Sequence, residues 1–458
     1  MSWSFSEMPL SGWGRYPRAT CSVVRPERYA DFLPDQGSLI ARGLGRSYGD
    51  AALNTDGHVV ATERLHRILS FDPETGILEA EAGVTLDELF TLFVPRGWFL
   101  PVTPGTRFVT LGGAAAADVH GKNHHHDGSF GDHVLELEVI RADGQRVRCS
   151  PRVESPLFWA TIGGMGLTGL IGTVTLRLRR IASAYMTVQH RRAPDVEAAF
   201  RMLDDPACDD EYSVAWIDCL ARGAGLGRSI VMTGHHAPVE ELPPALRASP
   251  LTPPPRRARS IPVDFPGWVL NPLAIGWFNR FYYSWQGRRT SPFLSDYRSY
   301  FHPLDGIGGW NRMYGKRGFV QYQCVLPEPG ALIGMTAILE RLAGSRRASF
   351  LAVLKRFGAG NPGYLSFPIA GYTLALDLPL TRPDELFALL AQLDGIVQRA
   401  GGRVYLAKDA CLSPAMFRAM YPRFDEWSAV KAQVDPHHRF RSLLSERLAI
   451  GEAACLPS

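Results

Sequence analysis

No two cysteines of this sequence are spaced as Cys-x-x-Cys, and their total, seven, is odd. Scattered cysteines favour reduced thiols over a disulfide framework. A run of about 18 apolar residues is also absent, so we predict no helix that crosses a bilayer. The first residues lack a basic stretch followed by an apolar one, so we expect no signal peptide. We therefore expect a cytoplasmic or peripherally membrane-associated protein, and the sequence favours neither membrane face.

Strong net charge is missing as well. The 458 residues carry a formal charge of +4, and the clustered basic footprint of a nucleic-acid-binding protein is not present, so we predict no nucleic-acid partner. Local basic runs occur at Arg256–Arg259 and at Arg288-Arg289. The pattern G-x-x-x-x-G-K-[ST] does not occur, which argues against a P-loop nucleotide site.

The segment from Thr103 to His133 is unusually dense in small and polar residues. It contains Gly112-Gly113, four consecutive alanines, four closely spaced histidines and Lys122. Small residues let a backbone approach a flat ligand closely, because no larger side chain holds the ligand away. We interpret Gly112 to Ala117 as the surface for a large planar cofactor, with reactive groups beginning at His120. A tight helix–sheet contact followed by a solvated loop remains the alternative.

A short strand, 38–42, leads into the glycine-rich turn from Gly43 to Asp50. Successive glycines after a strand can form a nest of backbone N–H groups for a pyrophosphate. The residues that follow predict no amphipathic helix, so a Rossmann unit is not expected here. A second glycine pattern, Gly164-x-Gly166-x-x-Gly169, lies between a predicted helix and a predicted strand. That order is the reverse of a dinucleotide fingerprint, and we interpret these glycines as backbone passing close to a cofactor.

The four histidines at 120, 124, 125 and 126 raise the question of a metal. Zinc sites pair their ligands on a rigid element, whereas adjacent histidines cannot all converge on one ion. We therefore predict no metal. An organic cofactor bound by glycine loops, with Lys, His and Tyr at its edge, is the favoured chemistry.

The order of periodic segments predicts an α+β chain with a mostly antiparallel sheet and helices on one face. Thr85 and Glu88 predict a capping box, and Asp143-Gly144 predicts a hairpin. The aromatic stretch from Phe265 to Phe301 shows no clean period, and it suits either a membrane interface or a loop-rich satellite core. Predicted strands are 38–42, 77–82, 98–102, 170–180, 212–218, 229–234, 319–326, 350–357, 372–378 and 403–406, and predicted helices are 85–94, 195–203, 331–342 and 383–400.

Four stretches together resemble a known family: 43–50, 101–133, 163–172 and 435–448. The chain is similar to FAD-binding oxidoreductases of the vanillyl-alcohol oxidase type, and within them to the decaprenylphosphoryl-β-D-ribose 2-oxidase family. The similarity also covers 302–327, 365–372, 401–409 and 420–427. It implies a bipartite FAD-binding domain, 1–184 and 403–458, with an inserted antiparallel-sheet substrate domain, 185–402.

The resemblance assigns residues to the cofactor. Many superfamily members attach the flavin to a histidine of the first loop, where this chain has Arg46 to Gly49, so we predict non-covalent FAD. The residues expected to contact FAD are Gly43, Gly45, Arg46, Ser47, Tyr48, Gly49, Gly105, Thr106, Thr110, Gly112, Gly113, Ala115, His120, Ile171 and Tyr405.

The implied reaction is oxidation of the ribose C2 alcohol of a polyprenyl-phosphoryl ribose to a 2-keto sugar, for arabinose donor synthesis in the cell envelope. Lys408 is the expected principal catalytic group. Tyr48, His120, Lys122 and Gln323 match further active-site positions, with His120 and Lys122 as sugar or phosphate contacts. The second-rank pocket candidates are Trp216, Arg312, Tyr314, Gln321, Lys355, Thr373 and Ala375.

Two departures from the family concern the pocket. Ala375 stands where mycobacterial members have cysteine, and Thr373 where they have asparagine, so thiol-directed ligands should not attach at position 375. Expected partners are the polyprenyl-phosphoryl sugar, a keto-sugar reductase and a membrane surface. Two other functions stay open: a soluble alditol or sugar-lactone oxidase that uses oxygen, and an inactive lipid- or sugar-binding protein.

Overall fold

The computed structural model describes residues 4–28, 37–206, 210–255, 259–267, 269–345, 347, 349 and 351–451. Cys208, Cys455, Arg256 and Arg257 of the sequence analysis, and Phe350 at the start of one predicted strand, lie outside these residues. The other five cysteines, at 21, 149, 219, 324 and 411, are free thiols.

The strands of the described residues are β1 (Ser6–Ser11), β2 (Arg18–Val24), β3 (Ser38–Arg42), β4 (Gly57–Ala61), β5 (Ile68–Phe71), β6 (Ile77–Glu81), β7 (Trp98–Phe99), β8 (Val134–Ile140), β9 (Arg146–Cys149), β10 (Leu170–Arg177), β11 (Arg179–Arg180), β12 (Tyr185–Ala193), β13 (Tyr212–Ile217), β14 (Ser229–His236), β15 (Arg259–Ser260), β16 (Phe293–Asp296), β17 (Ile307–Gly308), β18 (Phe319–Pro327), β19 (Ala352–Phe357), β20 (Gly371–Pro379) and β21 (Arg403–Val404). The α-helices are α1 (Leu86–Phe93), α2 (Leu111–Ala116), α3 (His124–Asp127), α4 (Ser155–Thr161), α5 (Val196–Asp204), α6 (Pro244–Arg247), α7 (Pro272–Gln286), α8 (Tyr297–Phe301), α9 (Ala331–Ser345), α10 (Pro383–Arg399), α11 (Pro414–Met420), α12 (Phe424–Val434) and α13 (Leu443–Arg447).

Two sheets build the N-terminal part. The first has the order β1-β2-β4-β3, with β4 parallel to both β2 and β3. No helix follows β3, as predicted, and the glycine turn leads directly towards β4. The second sheet, β5-β6-β10-β8-β9, is antiparallel throughout. Thr85 caps α1 in the predicted capping box, and Gly144 turns the predicted hairpin with a φ of 83°.

The glycines 164, 166 and 169 connect α4 to β10. A helix therefore precedes this turn and a strand follows it, which confirms that the pattern is not a Rossmann fingerprint. Gly166 has a φ of 77° and Gly169 a φ of 153°. Side chains rarely adopt such a backbone conformation, so the turn depends on glycine at both positions.

The third sheet has eight antiparallel strands in the order β16-β12-β14-β13-β19-β20-β18-β21. Helices α5, α9 and α10 cover one face, where Phe200 stacks on Tyr372 with ring centroids 3.9 Å apart. This confirms the predicted antiparallel sheet with helices on one side. The two domain boundaries stay a prediction. Strand β21 is hydrogen-bonded to β18, so the C-terminal return starts within the eight-stranded sheet.

Alternation along three central strands separates core from cavity. In β18, Tyr322 and Cys324 point into the helix-covered core, while Gln321 and Gln323 line a cavity on the opposite face. The same alternation holds in β19 and in β20, where Ala375 is on the cavity side. Successive side chains of a strand point to opposite faces, so a single sheet forms both the core and the cavity floor.

The aromatic stretch is not the loop-rich segment that one of the two expectations described, because it contains the 15-residue helix α7. Its buried residues are Ile275, Asn279 and Gln286, while large apolar side chains remain exposed on the other side. Apolar residues on both sides blur the helical period, which explains why the sequence pattern missed this helix. The overlooked indication was Asn271 followed by Pro272, an N-cap with proline at the first helical position.

Two predicted strands are shorter than expected. The strand from Trp98 to Val102 extends only to Phe99, and the strand from Arg403 to Leu406 ends at Val404. After Val404 the chain reaches the cavity wall directly, at Tyr405, Ala407 and Lys408. Among the described residues, no helix has the length and hydropathy required to span a bilayer.

Lys431 holds the C-terminal return against the glycine turn between α4 and β10. Its Nζ donates to the carbonyl of Leu167 at 2.8 Å and to that of Phe440 at 3.1 Å. It also pairs with Asp435 at 2.8 Å, and both side chains are almost completely buried. A buried carboxylate that loses its cation is strongly destabilising.

We therefore expect Lys431→Met to lower the free energy of unfolding by about 3–5 kcal/mol, because Asp435 stays buried without a partner. Urea denaturation followed by tryptophan fluorescence measures the change. Arg201→Met is the matched control, since Arg201 and Glu197 also form an i,i+4 ion pair, but an exposed one. That control should change stability by less than about 0.5 kcal/mol. Equal effects of the two substitutions would contradict the structural role of the buried pair.

Candidate active site

A cavity of about 320 Å³ lies where the first glycine loop, helix α2, the glycine turn before β10, the eight-stranded sheet and the C-terminal return meet. Its volume is in the range of cofactor and ligand pockets, roughly 300–1,000 Å³. The predicted site residues on its wall are Gly43, Gly45, Arg46, Ser47, Tyr48, Gly105, Thr106, Thr110, Gly112, Gly113, His120, Ile171, Gln321, Gln323, Lys355, Ala375, Tyr405 and Lys408.

The first glycine loop is packed tightly on two sides. A Cβ at Gly43 would collide with the side chain of Thr110, and a Cβ at Gly49 would collide with the carbonyl of Asp409. Gly45 has a φ of 61°, a left-handed conformation that favours glycine. Gly43 and Gly45 lie on the cavity wall, whereas Gly49 does not. Gly49 instead allows the loop to approach the C-terminal return.

Helix α2 supplies the small-residue surface. The Thr110 side chain caps it by accepting from the Gly113 N–H at 3.2 Å. A Cβ at Gly112 would come within 2.8 Å of the Ala82 Cβ, so glycine lets the helix contact the neighbouring strand. The wall contains Gly112, Gly113, Ala116 and Ala117. Ala115 is buried behind the wall, where its carbonyl accepts from Gly163.

These walls fit a large planar cofactor that carries a diphosphate. Glycine and alanine form the face around α2, and Arg46 provides a cation, with its guanidinium 3.9 Å from the Trp13 ring centroid. Within the described residues, the buried Nε of Arg46 and Nδ1 of His120 have no hydrogen-bond partner. Unpartnered buried donors are costly, so a ligand that accepts hydrogen bonds would stabilise this arrangement.

Two lysines face the cavity. Lys408 comes from the C-terminal return, and its Nζ lies 3.9 Å from the Tyr48 ring centroid. Lys355 of β19 donates to the carbonyl of Gly121 at 3.3 Å. Burial lowers the pKa of Lys355 to about 7 and also lowers the pKa of Lys408. Removal from water disfavours the charged form of an amine, so both side chains can exchange a proton near neutral pH.

Asp377 is the carboxyl group of this cluster. It accepts from the Gln321 amide and from the Tyr314 hydroxyl, the latter at 3.4 Å. Burial raises the pKa of Asp377, and the Asp377 charge in turn raises the pKa of Lys408. Burial and the same charge raise the pKa of Tyr48 well above its ordinary value, so this hydroxyl stays protonated.

His120 joins α2 to the sheet. Its Nε2 and the Gln323 Nε2 are 2.9 Å apart, and Gln323 also donates to the Thr373 hydroxyl at 3.1 Å. Burial lowers the pKa of His120 well below its usual value, and the nearby Lys355 lowers it further. The ring is therefore neutral at physiological pH, and it can serve as a hydrogen-bonding group rather than as a cation.

Several predicted residues do not reach the cavity wall. The Lys122 amine donates to the carbonyl of Tyr300 and lies 4.0 Å from its ring centroid. Trp216 packs on Tyr282, and Arg312 donates to the carbonyls of residues 261 and 262. Tyr314 and Thr373 lie behind the wall. The Tyr314 hydroxyl donates to Asp377, and the Thr373 hydroxyl accepts from Gln323. The predicted residues off the wall are thus Gly49, Ala115, Lys122, Trp216, Arg312, Tyr314 and Thr373.

Sequence reasoning also missed residues that contribute to the site. Asp377 follows Ala375 by two positions in β20, so strand alternation alone indicates that both share a face. Asp305 accepts from the Thr106 hydroxyl and the Arg107 N–H, both at 2.8 Å, and so fixes the 103–109 segment. Trp13 lies far from the other site residues in sequence, and no local pattern identifies it. Trp310 lies five residues after Asp305, within the 302–327 stretch, and it was not singled out. Three or more potential metal ligands do not cluster anywhere among the described residues.

Known families match two parts of the chain. An FAD-binding domain matches residues 32–150, and a D-arabinono-1,4-lactone oxidase family matches residues 376–448. The first match contains the glycine loop and α2, and the second contains the C-terminal return with Lys408. The two matches therefore cover the segments that close the cavity from opposite ends of the chain.

Individual proteins match over greater lengths. Decaprenylphosphoryl-β-D-ribose oxidase from Mycolicibacterium smegmatis is 38% identical over 451 residues, 96% of this chain and 97% of the relative. An uncharacterised Streptomyces coelicolor protein is 39% identical over 80% of this chain and 100% of its own length. L-gulonolactone oxidase from Bos taurus is 24% identical over 89% of this chain and 88% of that enzyme.

The first glycine loop reads Gly43-Leu44-Gly45-Arg46-Ser47-Tyr48-Gly49, with no histidine or cysteine. We expect the flavin to be held without a covalent bond, and acid denaturation to release all of it. Intact mass spectrometry of the denatured holoenzyme should therefore give the mass of the polypeptide alone. Arg46→Met should weaken FAD retention during gel filtration, with Arg152→Met, an exposed arginine elsewhere, as control. A persistent mass gain of one flavin would contradict the non-covalent attachment.

Proposed function

Because the chain belongs to the decaprenylphosphoryl-β-D-ribose oxidase family of FAD-dependent oxidoreductases, we propose that it oxidises the ribose C2 alcohol of a polyprenyl-phosphoryl-β-D-ribose to the 2-keto sugar. The observation that carries this proposal is the 38% identity to the Mycolicibacterium smegmatis enzyme over 97% of that protein. The product is a precursor of arabinose donors for the cell envelope. A keto-sugar reductase would then consume it.

The reaction removes a hydride from carbon and a proton from oxygen. Bound FAD supplies the hydride acceptor. The proton requires a base at the substrate hydroxyl, and Lys408 is the best candidate because burial lowers its pKa and thereby populates the neutral amine. Tyr48 remains protonated, so its hydroxyl can donate a hydrogen bond. Its ring lies against the amine of Lys408. Neutral His120 and Gln323 would orient the sugar through hydrogen bonds.

The charges of the cavity favour a phosphorylated substrate. Lys355 and Lys408 approach each other closely enough for each charge to influence the same histidine. Asp305, an acidic residue of the wall, already accepts hydrogen bonds from the Thr106 hydroxyl and the Arg107 N–H. Asp377 lies behind the wall with a raised pKa. A phosphodiester would compensate the cationic surplus, because buried cations need a partner to stay charged.

The family match of residues 376–448 and the bovine relative favour a second candidate, a soluble sugar-lactone or alditol oxidase that uses oxygen. Lactones and alditols are neutral, so they would leave the buried amine of Lys355 without an anion. The lactone oxidase match is limited to the C-terminal part, whereas the ribose oxidase relative extends over almost the whole chain. These two facts support the phosphorylated substrate.

Anaerobic mixing of the yellow holoenzyme with a polyprenyl-phosphoryl ribose should bleach the flavin absorbance in a single turnover. Free ribose, L-gulono-lactone and alditols should bleach it at least about a hundredfold more slowly, because they lack the phosphate that Lys355 would bind. Stopped-flow absorbance measures both rates. Faster bleaching by the lactone, with rapid peroxide formation in air, would establish the second candidate instead. No bleaching by any sugar, with ligand still bound, would indicate an inactive binding protein.

We expect Lys408→Met to lower kcat/KM by about 10²–10⁴, the usual contribution of a general base. In the wild type, kcat/KM should rise with pH as Lys408 loses its proton, because only the neutral amine accepts one. Asp377→Asn should move this rise to lower pH, since the Asp377 charge raises the pKa of Lys408. The exposed Lys316→Met is the matched control. A pH profile that is unchanged in both active-site variants would contradict the role of Lys408.

A further inference from the structure

Helix α7 presents an apolar row to solvent. Leu273, Trp277, Phe281 and Trp285 follow one another at intervals of four residues, so they lie along one side of the helix. Their exposed fractions are 78%, 74%, 65% and 45%. The rings of Phe281 and Trp285 are stacked, with centroids 6.1 Å apart. Contiguous exposed apolar surface of this kind marks an interaction site rather than ordinary protein surface.

The other side of α7 is fixed to the eight-stranded sheet. Asn279 donates to Asp218 at 2.7 Å in the buried interior. Tyr282 packs on Trp216 with ring centroids 4.8 Å apart, and the Tyr283 hydroxyl donates to the carbonyl of Ala193 at 3.2 Å. The helix is thus anchored by one face, and its exposed apolar row is not a consequence of loose packing.

The surroundings of the row are cationic. From residue 265 to residue 295 the chain contains no aspartate or glutamate, while Arg280, Arg288 and Arg289 are present and exposed. Arg289 lies 5.1 Å from the Trp285 ring centroid, so positive charge borders the aromatic row directly. Aromatic and apolar side chains flanked by arginines are the composition of helices that lie in the interface of anionic membranes.

We propose that α7 docks the enzyme on an anionic lipid surface, with Leu273, Trp277, Phe281 and Trp285 inserted among the acyl chains. The link between this docking and a lipid substrate rests on the proposed function. The docking itself does not depend on that function. One end of the helix is close to the active site. Leu270, just before α7, packs against the aromatic cluster that includes Tyr48 and Trp310 of the cavity wall.

A second copy of the chain is a poorer occupant of this face. A 15-residue helix is roughly 22 Å long, so one side of it covers on the order of 200 Å². Stable interfaces bury about 800 Å² on each partner. Two such faces would also bring like charges together. A lipid surface has neither difficulty, because it supplies negative charge and accommodates side chains of any shape.

Vesicle sedimentation with the full-length holoenzyme tests the docking. Vesicles of phosphatidylcholine mixed with phosphatidylglycerol should bind the wild type, and phosphatidylcholine alone should bind it much more weakly. The double variant Trp277→Ser, Phe281→Ser should bind at least about tenfold more weakly, since each large apolar side chain contributes roughly a tenfold factor on burial. Ile333→Ser removes an apolar side chain of α9 that is 80% exposed, and this matched control should bind like the wild type.

Charge reversal provides a second, independent arm. Arg280→Glu with Arg288→Glu should weaken binding to the anionic vesicles roughly fivefold or more per charge. Arg152→Glu, at an exposed position of the N-terminal part, should have little effect. Undiminished vesicle binding by either the apolar or the charge-reversed variant would overturn the proposal. Loss of a wild-type dimer in the apolar variant, with vesicle binding unchanged, would identify a second copy as the occupant and would overturn it as well.

Flavin bleaching separates docking from catalysis. With a short-chain, water-soluble analogue of the phosphoryl ribose, the apolar variant should bleach at the wild-type rate. With long-chain substrate embedded in vesicles, it should turn over at least about tenfold more slowly. If the wild type fails on the short-chain analogue but binds anionic vesicles through α7, the proposed reaction is wrong and the docking stands. If the variant matches the wild type on embedded substrate, the docking surface is not α7.

Discussion

Arg447 connects the two ends of the chain around the cavity. Its guanidinium pairs with Asp50, which ends the first glycine loop, and with Asp409, which follows Lys408, each at 2.8 Å. The Tyr48 N–H also donates to the carbonyl of Ala407 at 2.9 Å, so the loop and the return are hydrogen-bonded directly. The first glycine loop and Lys408 therefore occupy fixed positions only when residues separated by almost the whole chain come together.

This dependence explains the distribution of small residues. Gly43, Gly49 and Gly112 allow backbone and side chains from distant segments to approach one another, and each would meet a neighbour if it carried a Cβ. Gly49 contacts Asp409, the residue after Lys408, and burial lowers the pKa of the Lys408 amine. Packing between chain ends and the electrostatics of the cavity are thus two results of one arrangement.

Much of the site was accessible from sequence because its residues lie in short, dense segments. The glycine loop, the 103–133 segment and the glycine turn at 164–169 each reach the cavity, and the hairpin and capping box formed as local patterns predicted. The failures are of another kind. Lys122 belongs to the dense segment, yet its amine turns to Tyr300, a contact 178 residues away. Helix α7 was missed because its apolar residues serve a buried side and an exposed side, so no single amphipathic period is visible.

Strand alternation on the cavity floor limits how this active site can change during evolution. In β18, Gln321 and Gln323 face the cavity while Tyr322 and Cys324 face the core, and in β20 Ala375 faces the cavity between Leu374 and Leu376 of the core. One inserted or deleted residue within either strand would exchange the two sets. Carboxyl and amide groups would then enter the apolar interior, while leucines would replace them around the ligand. New substrate preferences on this scaffold should therefore arise by point substitution at alternate positions, or by length changes confined to the loops, and not by length changes within the sheet.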